Sequence, residues 1–179
     1  MISLHDSKRR SDVKGGAAAT GEWYAAPQPF SILPATWRDV GELRSLEAEC
    51  FGEDAWPLLD VISVLTLGGI VRLKAVVNGQ MAGFIAGDPR EGEAAWITTL
   101  GVRAPYRRLG IATALLDQCE QQMQRPVIRL CVRSDNQPAL QLYAKAGYRH
   151  VSVWWNYYRD GQDAYVLEKT LREFGFAGK

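Results

Sequence analysis

The stretch from Trp96 to Val132 constrains the fold more than any other part of this chain. A largely apolar run, Trp96 to Val102, leads into a short basic turn. A helix-forming segment, Ile111 to about Gln124, leaves that turn and stops at Pro126, and a second apolar run covers Val127 to Val132. Strand, helix and strand in that order form a βαβ crossover, which is expected to be right-handed. The turn carries Arg107-x-x-Gly110-x-Ala112. A strand that feeds a glycine-bearing helix start presents unpaired N–H groups and the positive end of the helix dipole, an arrangement suited to phosphate or pyrophosphate. Gly110 and Ala112 let a ligand approach the backbone closely. The chain has no G-x-x-x-x-G-K-[ST] and no G-x-G-x-x-G after a strand, so a P-loop and a dinucleotide fingerprint are both excluded.

A second motif follows. Asn136 to Tyr148 reads as a helix and its exit: Asp135 or Asn136 caps the start, Pro138 suits the first turn and Gly147 the stop. Ala139, Leu142, Tyr143 and Ala146 share one face. On periodicity alone, Tyr143 is a core aromatic with a polar tip.

The remaining elements follow from the same signals. Phe30–Leu33 reads as a strand. A helix starts at Thr36 or Asp39 and runs to about Cys50, with Val40, Leu43, Leu46 and Glu47 on one face. The segment Phe51 to Pro57 breaks it, and a second helix spans about Leu58 to Leu67. Ile70–Val77 and Gln80–Ala86 form a hairpin at Asn78-Gly79. Asp88 to Gly92 is a loop. Glu93–Val102 is the next strand, and its apolar character places it centrally. Tyr148–Tyr158 and Asp163–Leu171 form a closing hairpin at Asp160-Gly161, in which alternation would bury one of Tyr157 and Tyr158. The order β-α-α-β-β-β-α-β-α-β-β demands a mixed sheet with helices on both faces, an α/β (α+β) architecture in a single domain. The domain is expected over residues 27–172, with a flexible tail at 1–26 and a short one at 173–179. Trp23 and Tyr24 stand apart in the first tail as residues able to dock on the domain or on a neighbouring chain.

The balance of 21 basic and 20 acidic residues gives a net charge of +1, with no long-range pull toward nucleic acid or membrane. No basic stripe with interleaved aromatics occurs. Three scattered cysteines without C-x-x-C, and only two histidines, argue against a metal site and a disulfide framework. Reduced thiols and the lack of a signal peptide or an 18-residue apolar run lead to the expectation of a cytoplasmic protein.

Together the two motifs resemble the GNAT superfamily of acyl-CoA-dependent N-acetyltransferases. Arg107, Gly110 and Ala112 match its R/Q-x-x-G-x-G/A loop. Asn136, Ala139, Leu142, Tyr143, Gly147 and Tyr148 match its N-x-x-A-x-x-L-Y-x-x-x-G-[FY] segment. The resemblance covers roughly Phe30 to Leu171 and is closest to the ribosomal-protein alanine and N-terminal acetyltransferase branch. It implies acyl-CoA in the gap between two splayed parallel strands, here Ile97–Val102 and Val127–Val132. Leu100, Gly101 and Val102 would face the pantetheine arm. Arg107, Arg108, Leu109, Gly110, Ile111, Ala112 and Thr113 would form the pyrophosphate loop, and Asn136 would bond the cofactor.

Acyl transfer from a thioester to an amine needs a neutral amine, a proton acceptor, a donor to the carbonyl oxygen and a proton for the departing thiolate. The resemblance makes Tyr143 the general acid and a member of the cofactor site. The branch often has Glu or His where Cys131 stands, and a buried thiol is a poor base. Another branch places a glutamate where Trp96 stands. A water relay anchored by Glu53, Glu93, Tyr157 or Tyr158, or an amine already deprotonated, is left to take the proton. Glu53, Tyr157 and Tyr158 are expected on the acceptor side, and the Trp154-Trp155 pair, unusual for the branch, would narrow that site or form a subunit contact. The expected function is therefore an acetyl-CoA-dependent N-acetyltransferase acting on a peptide or protein α-amine, without metal, as a monomer or homodimer. The alternatives are a small-amine acetyltransferase, which would have a closed acceptor pocket instead of an open groove, and a non-catalytic acyl-CoA-binding module.

Overall fold

A computed structural model describes residues 29–89 and 94–171. The expected terminal tails, Trp23, Tyr24 and Glu93 lie outside these described residues.

Seven strands form one sheet: β1 (Ser31–Pro34), β2 (Val71–Val77), β3 (Gln80–Asp88), β4 (Ala94–Val102), β5 (Val127–Arg133), β6 (Arg149–Trp154) and β7 (Ala164–Thr170). Their spatial order is β1-β2-β3-β4-β5-β7-β6. Only β4 and β5 are parallel among these neighbours. The β2–β3 hairpin turns at Asn78 (φ 49°) and Gly79 (φ 78°), the two positive-φ positions that a tight primed turn requires.

Helices α1 (Val40–Phe51) and α2 (Leu58–Thr66) pack on one face. Leu43, Leu46, Val61 and Leu65 meet Met81, Phe84 and Ala86 of β3 there. Helices α3 (Ile111–Met123) and α4 (Gln137–Lys145) cover the other face. There Ile111, Leu115, Cys119 and Tyr143 meet Ile85, Ile97, Leu130 and Val132. β3 therefore buries both its faces, and its Gly87 lies so close to α3 that an added Cβ would stand 2.5 Å from the Met123 sulfur.

The sheet opens at its centre. β4 and β5 pair only from Ala94↔Val127 to Ile97↔Leu130. Beyond that level β4 stays with β3 as far as Val102, and β5 stays with β7 as far as Arg133. The strands diverge where β4 carries an extra residue. Ile97 pairs with Gly87 and Thr99 with Ala86, so Thr98 bulges out and its hydroxyl donates to the Ala86 carbonyl at 3.2 Å.

One expectation needs correction. The strand expected to run to Tyr158 ends at Trp154, because Asn156 adopts a left-handed φ of 50° and starts the turn early. Tyr157 and Tyr158 thus lie on the β6–β7 connection, and strand alternation does not decide their burial. The first helix is preceded by a 3₁₀ turn, Trp37–Asp39, in which the Asp39 carboxylate accepts from the Thr36 N–H at 2.8 Å.

Candidate active site

The opening between β4 and β5 leads into a cleft of about 460 Å³ on the α3–α4 side. One wall is the end of β4, through Leu100, Gly101 and Val102. The base is the turn into α3. Arg108 (φ 65°) and Gly110 (φ 81°) both hold left-handed conformations, which curl the chain so that the helix start faces the cleft. The first helical bond runs from the Ala114 N–H to the Gly110 carbonyl at 3.0 Å, so the N–H groups before it have no partner within the helix. A Cβ on Gly110 would meet nothing within 4 Å, and its missing side chain leaves open space in front of the helix. Arg107 turns back, donating from Nε to the Val102 carbonyl at 2.9 Å. That bond ties the turn to the end of β4 and leaves the positive charge at the rim.

The opposite wall is α4. Asn136 caps it by accepting from the Ala139 N–H at 3.1 Å, which leaves the Asn136 amide NH2 as a donor at the cleft edge. Tyr143 lies one face-turn further on, 7% exposed. Its hydroxyl has no hydrogen-bond partner among the described residues. Burial raises its pKa, with a smaller contribution from Tyr158, so the phenol keeps its proton at neutral pH. The ring is held edge-on by Tyr148 at 5.7 Å. Tyr148 is itself fixed, donating to the buried Glu120 carboxylate at 2.8 Å, which also accepts from Lys169 at 2.5 Å.

The residues expected at a cofactor site therefore surround one cleft: Leu100, Gly101, Val102, Arg107, Arg108, Gly110, Ile111, Ala112, Thr113, Asn136 and Tyr143 all line it. Leu109 does not; its side chain packs against the core. The sequence reading missed Cys50 and Phe51, which close the cleft from the end of α1. Their signal lay in Gly101, where a Cβ would stand 2.9 Å from Leu46 Cδ2 and 3.3 Å from both Cys50 Sγ and Phe51 Cε2.

On the other face of the sheet the register aligns Trp96 with Arg129, and Cys131 and Arg133 follow on the same side. An aromatic row crosses this face: Trp96 stacks on Trp154 at 5.8 Å, Trp154 meets Tyr157 at 5.3 Å, and Tyr157 meets Tyr158 at 5.1 Å. Cys131 is half-buried next to it, and desolvation pushes its thiol up to about 11. Such a thiol is protonated and carries no base function at neutral pH. The same burial raises Tyr157 and Tyr158.

Glu53 is exposed, on the 3₁₀ turn Gly52–Asp54. Glu47, read from the sequence as part of an apolar face, is 2% exposed and ties three segments together. It accepts from the Thr99 hydroxyl at 3.0 Å, just past the bulge, and from the Trp56 N–H at 3.5 Å in the segment after α1. Burial raises its pKa against those two bonds. Among the described residues no cluster of His, Cys, Asp or Glu suits a metal ion, and no helix is long and apolar enough to cross a membrane.

A bulged central strand, a parallel pair that splays and a helix start facing the resulting cleft together define the site. Residues 37–148 match the model of the acetyltransferase (GNAT) family, and the chain belongs to that family. The N-alpha-acetyltransferase RimI of Mycobacterium tuberculosis is 32% identical over 81% of this chain and 95% of its own. The N-alpha-acetyltransferase of Sulfurisphaera tokodaii is 40% identical over 79 residues, which is 42% of this chain and 47% of that one. The fold also matches the crystal structure of Arabidopsis thaliana NAA60 in complex with acetyl-CoA, with a TM-score of 0.71 and 22% identity over 80% of this chain and 100% of that one.

Proposed function

We propose that this acetyltransferase moves an acetyl group from acetyl-CoA to the α-amine of a peptide or protein by direct attack. The observation that carries the reading is the two-sided opening at the β4–β5 splay. A helix start suited to phosphate and a protonated Tyr143 lie on one face, and an aromatic row lies on the other, tied through Arg133 to Asp54 on the turn that also carries Glu53. The relatives named N-alpha-acetyltransferase support the α-amine as acceptor.

The residues present fit acetyl-CoA. The N–H groups at the start of α3, with Arg107 and Arg108 at the rim, suit a pyrophosphate. Asn136 offers its amide NH2, and Gly110 leaves room for a ligand to lie against backbone. Acetyl-CoA supplies an acyl thioester. The backbone N–H groups of Leu100 and Val102, which strand alternation turns away from β3 and which β5 no longer meets at this level, are the donors available to the carbonyl oxygen. The Tyr143 hydroxyl donates its proton to the departing sulfur as the C–S bond breaks and the N–C bond forms, and it recovers a proton from solvent. The amine must shed its own proton. Cys131 does not take it, so the amine loses it to water in the half-open acceptor side, where Tyr157 and Tyr158 order that water.

The test is turnover of acetyl-CoA against a panel of peptides with free N-termini and a panel of small amines, read by mass spectrometry. Acetylated peptides support the reading. Products confined to small amines transfer the function to that class, and acetyl-CoA binding without any product makes the chain a binding module.

A further inference from the structure

We propose that Arg133 is a clamp that sets the width of the acceptor entrance, and so a positioning residue for the amine rather than for acetyl-CoA. The inference rests on the acceptor side assigned under the proposed function. Arg133 is the last residue of β5, and its guanidinium joins segments far apart in the chain. Nη1 donates to Asp54 at 2.8 Å, on the turn that follows α1. Nη2 donates to Asp160 at 2.6 Å and Nη1 to the other Asp160 oxygen at 3.3 Å, a two-pronged contact with the β6–β7 connection. Nε and Nη2 reach Asp135 at 3.2 and 3.3 Å, in the turn before α4. The guanidinium carbon also lies 4.8 Å from the centre of the Tyr158 ring.

The two loops that flank the acceptor side thus hang on one planar group. Only a fork can bond Asp54 and Asp160 at once while its face rests on an aromatic ring. Arg133 and Asp54 are 25% and 21% exposed, so that pair is less screened than an ordinary surface ion pair, whereas Asp135 and Asp160 face solvent. The clamp also holds the Tyr158 ring against the end of β5, just past the level where the sheet opens. Arg133 does not line the acetyl-CoA cleft, so its loss should move acceptor binding and leave acetyl-CoA binding unchanged.

The experiment measures KM for a peptide acceptor, and the dissociation constant of acetyl-CoA by calorimetry, for wild type, Arg133→Met, Arg133→Lys and Asp160→Asn. The clamp predicts that acceptor KM rises about tenfold or more in both Arg133 variants, because the compact lysine ammonium has neither the planar fork that meets Asp54, Asp160 and Asp135 together nor a face to rest on Tyr158. Acetyl-CoA affinity should stay within about twofold in all. Asp160→Asn should raise acceptor KM by a smaller factor, and because Asp160 is exposed, this variant serves if the Arg133 variants do not fold. An unchanged acceptor KM overturns the clamp, as does full rescue by lysine or an equal loss of acetyl-CoA affinity. If wild type acetylates no peptide at all, the acceptor reading itself fails and the clamp falls with it, an outcome visible before any variant is compared.

Discussion

Replacing Gly101 with alanine tests the geometry of the opening more sharply than any change to a charged group. Gly101 lies on the free end of β4, facing α1. A Cβ there would stand 2.9 Å from Leu46 Cδ2, with Cys50 Sγ and Phe51 Cε2 each at 3.3 Å. Leu46 is fully buried between α1 and the sheet. The methyl must therefore displace the Leu46 side chain within the packed core or move the end of α1 away from β4. Overpacking of this kind costs about 1–3 kcal/mol. For a domain of this size each kcal/mol moves the melting temperature by roughly 2–4 °C, so a fall of about 2–12 °C is expected. The other two neighbours, Cys50 and Phe51, also line the cleft, so acetyl-CoA affinity should fall in parallel. Gly41→Ala supplies the opposite control. It lies in the first turn of α1 with nothing within 4 Å of its Cβ position, and alanine there should stabilise by up to about 1 kcal/mol. Both are read by calorimetric melting and titration with acetyl-CoA. If Gly101→Ala melts with wild type and binds acetyl-CoA equally well, α1 does not rest on β4 as described.

Further outcomes follow from the same site. Tyr143→Phe should lower kcat by about 10²-fold or more, the usual worth of a positioned acid, with melting temperature and acetyl-CoA affinity preserved because the hydroxyl has no partner to lose; an unchanged kcat removes Tyr143 from the chemistry. Cys131→Ala should leave the pH–rate profile between pH 6 and 9 unshifted, since a thiol pushed up to about 11 does not titrate there; loss of an ionisation in that window would make Cys131 the base. Glu47→Gln carries a pH signature. Burial raises the folded pKa of Glu47 above its unfolded value, so its contribution to stability is present at low pH and lost as pH rises through the folded pKa. Glutamine escapes that loss, so the melting temperature of Glu47→Gln relative to wild type should be higher at pH 8 than at pH 4.5, and the reverse order would refute the burial argument.

Much of this was legible in local sequence. The turn into α3 announces itself through Arg107, Gly110 and Ala112, because a left-handed glycine before an amphipathic helix is a local requirement. Asn136 and Gly147 bracket α4 for the same reason. What the chain does not announce is anything set by residues distant in sequence. Glu47 falls on the buried face of α1 and reads as a patterning fault until Thr99 and Trp56 come to meet it. Arg133 reads as one more basic residue in a polar turn, since Asp54 and Asp160 reach it only through the fold. The early end of β6 was missed because Asp160-Gly161 is the stronger turn signal, although Asn156 breaks the strand first. The divergence of β4 from β5 follows from one bulged residue, Thr98, that no period-2 pattern marks, and it entered the sequence reading through family resemblance alone.

The central claim is transfer to an α-nitrogen, and it is tested most directly with one peptide that carries both a free N-terminus and an internal lysine. After incubation with acetyl-CoA and the protein, fragmentation mass spectrometry locates the acetyl group. The account predicts acetylation at the N-terminal nitrogen, abolished or severely slowed by Tyr143→Phe. Acetylation at the lysine side chain with the N-terminus untouched would contradict it.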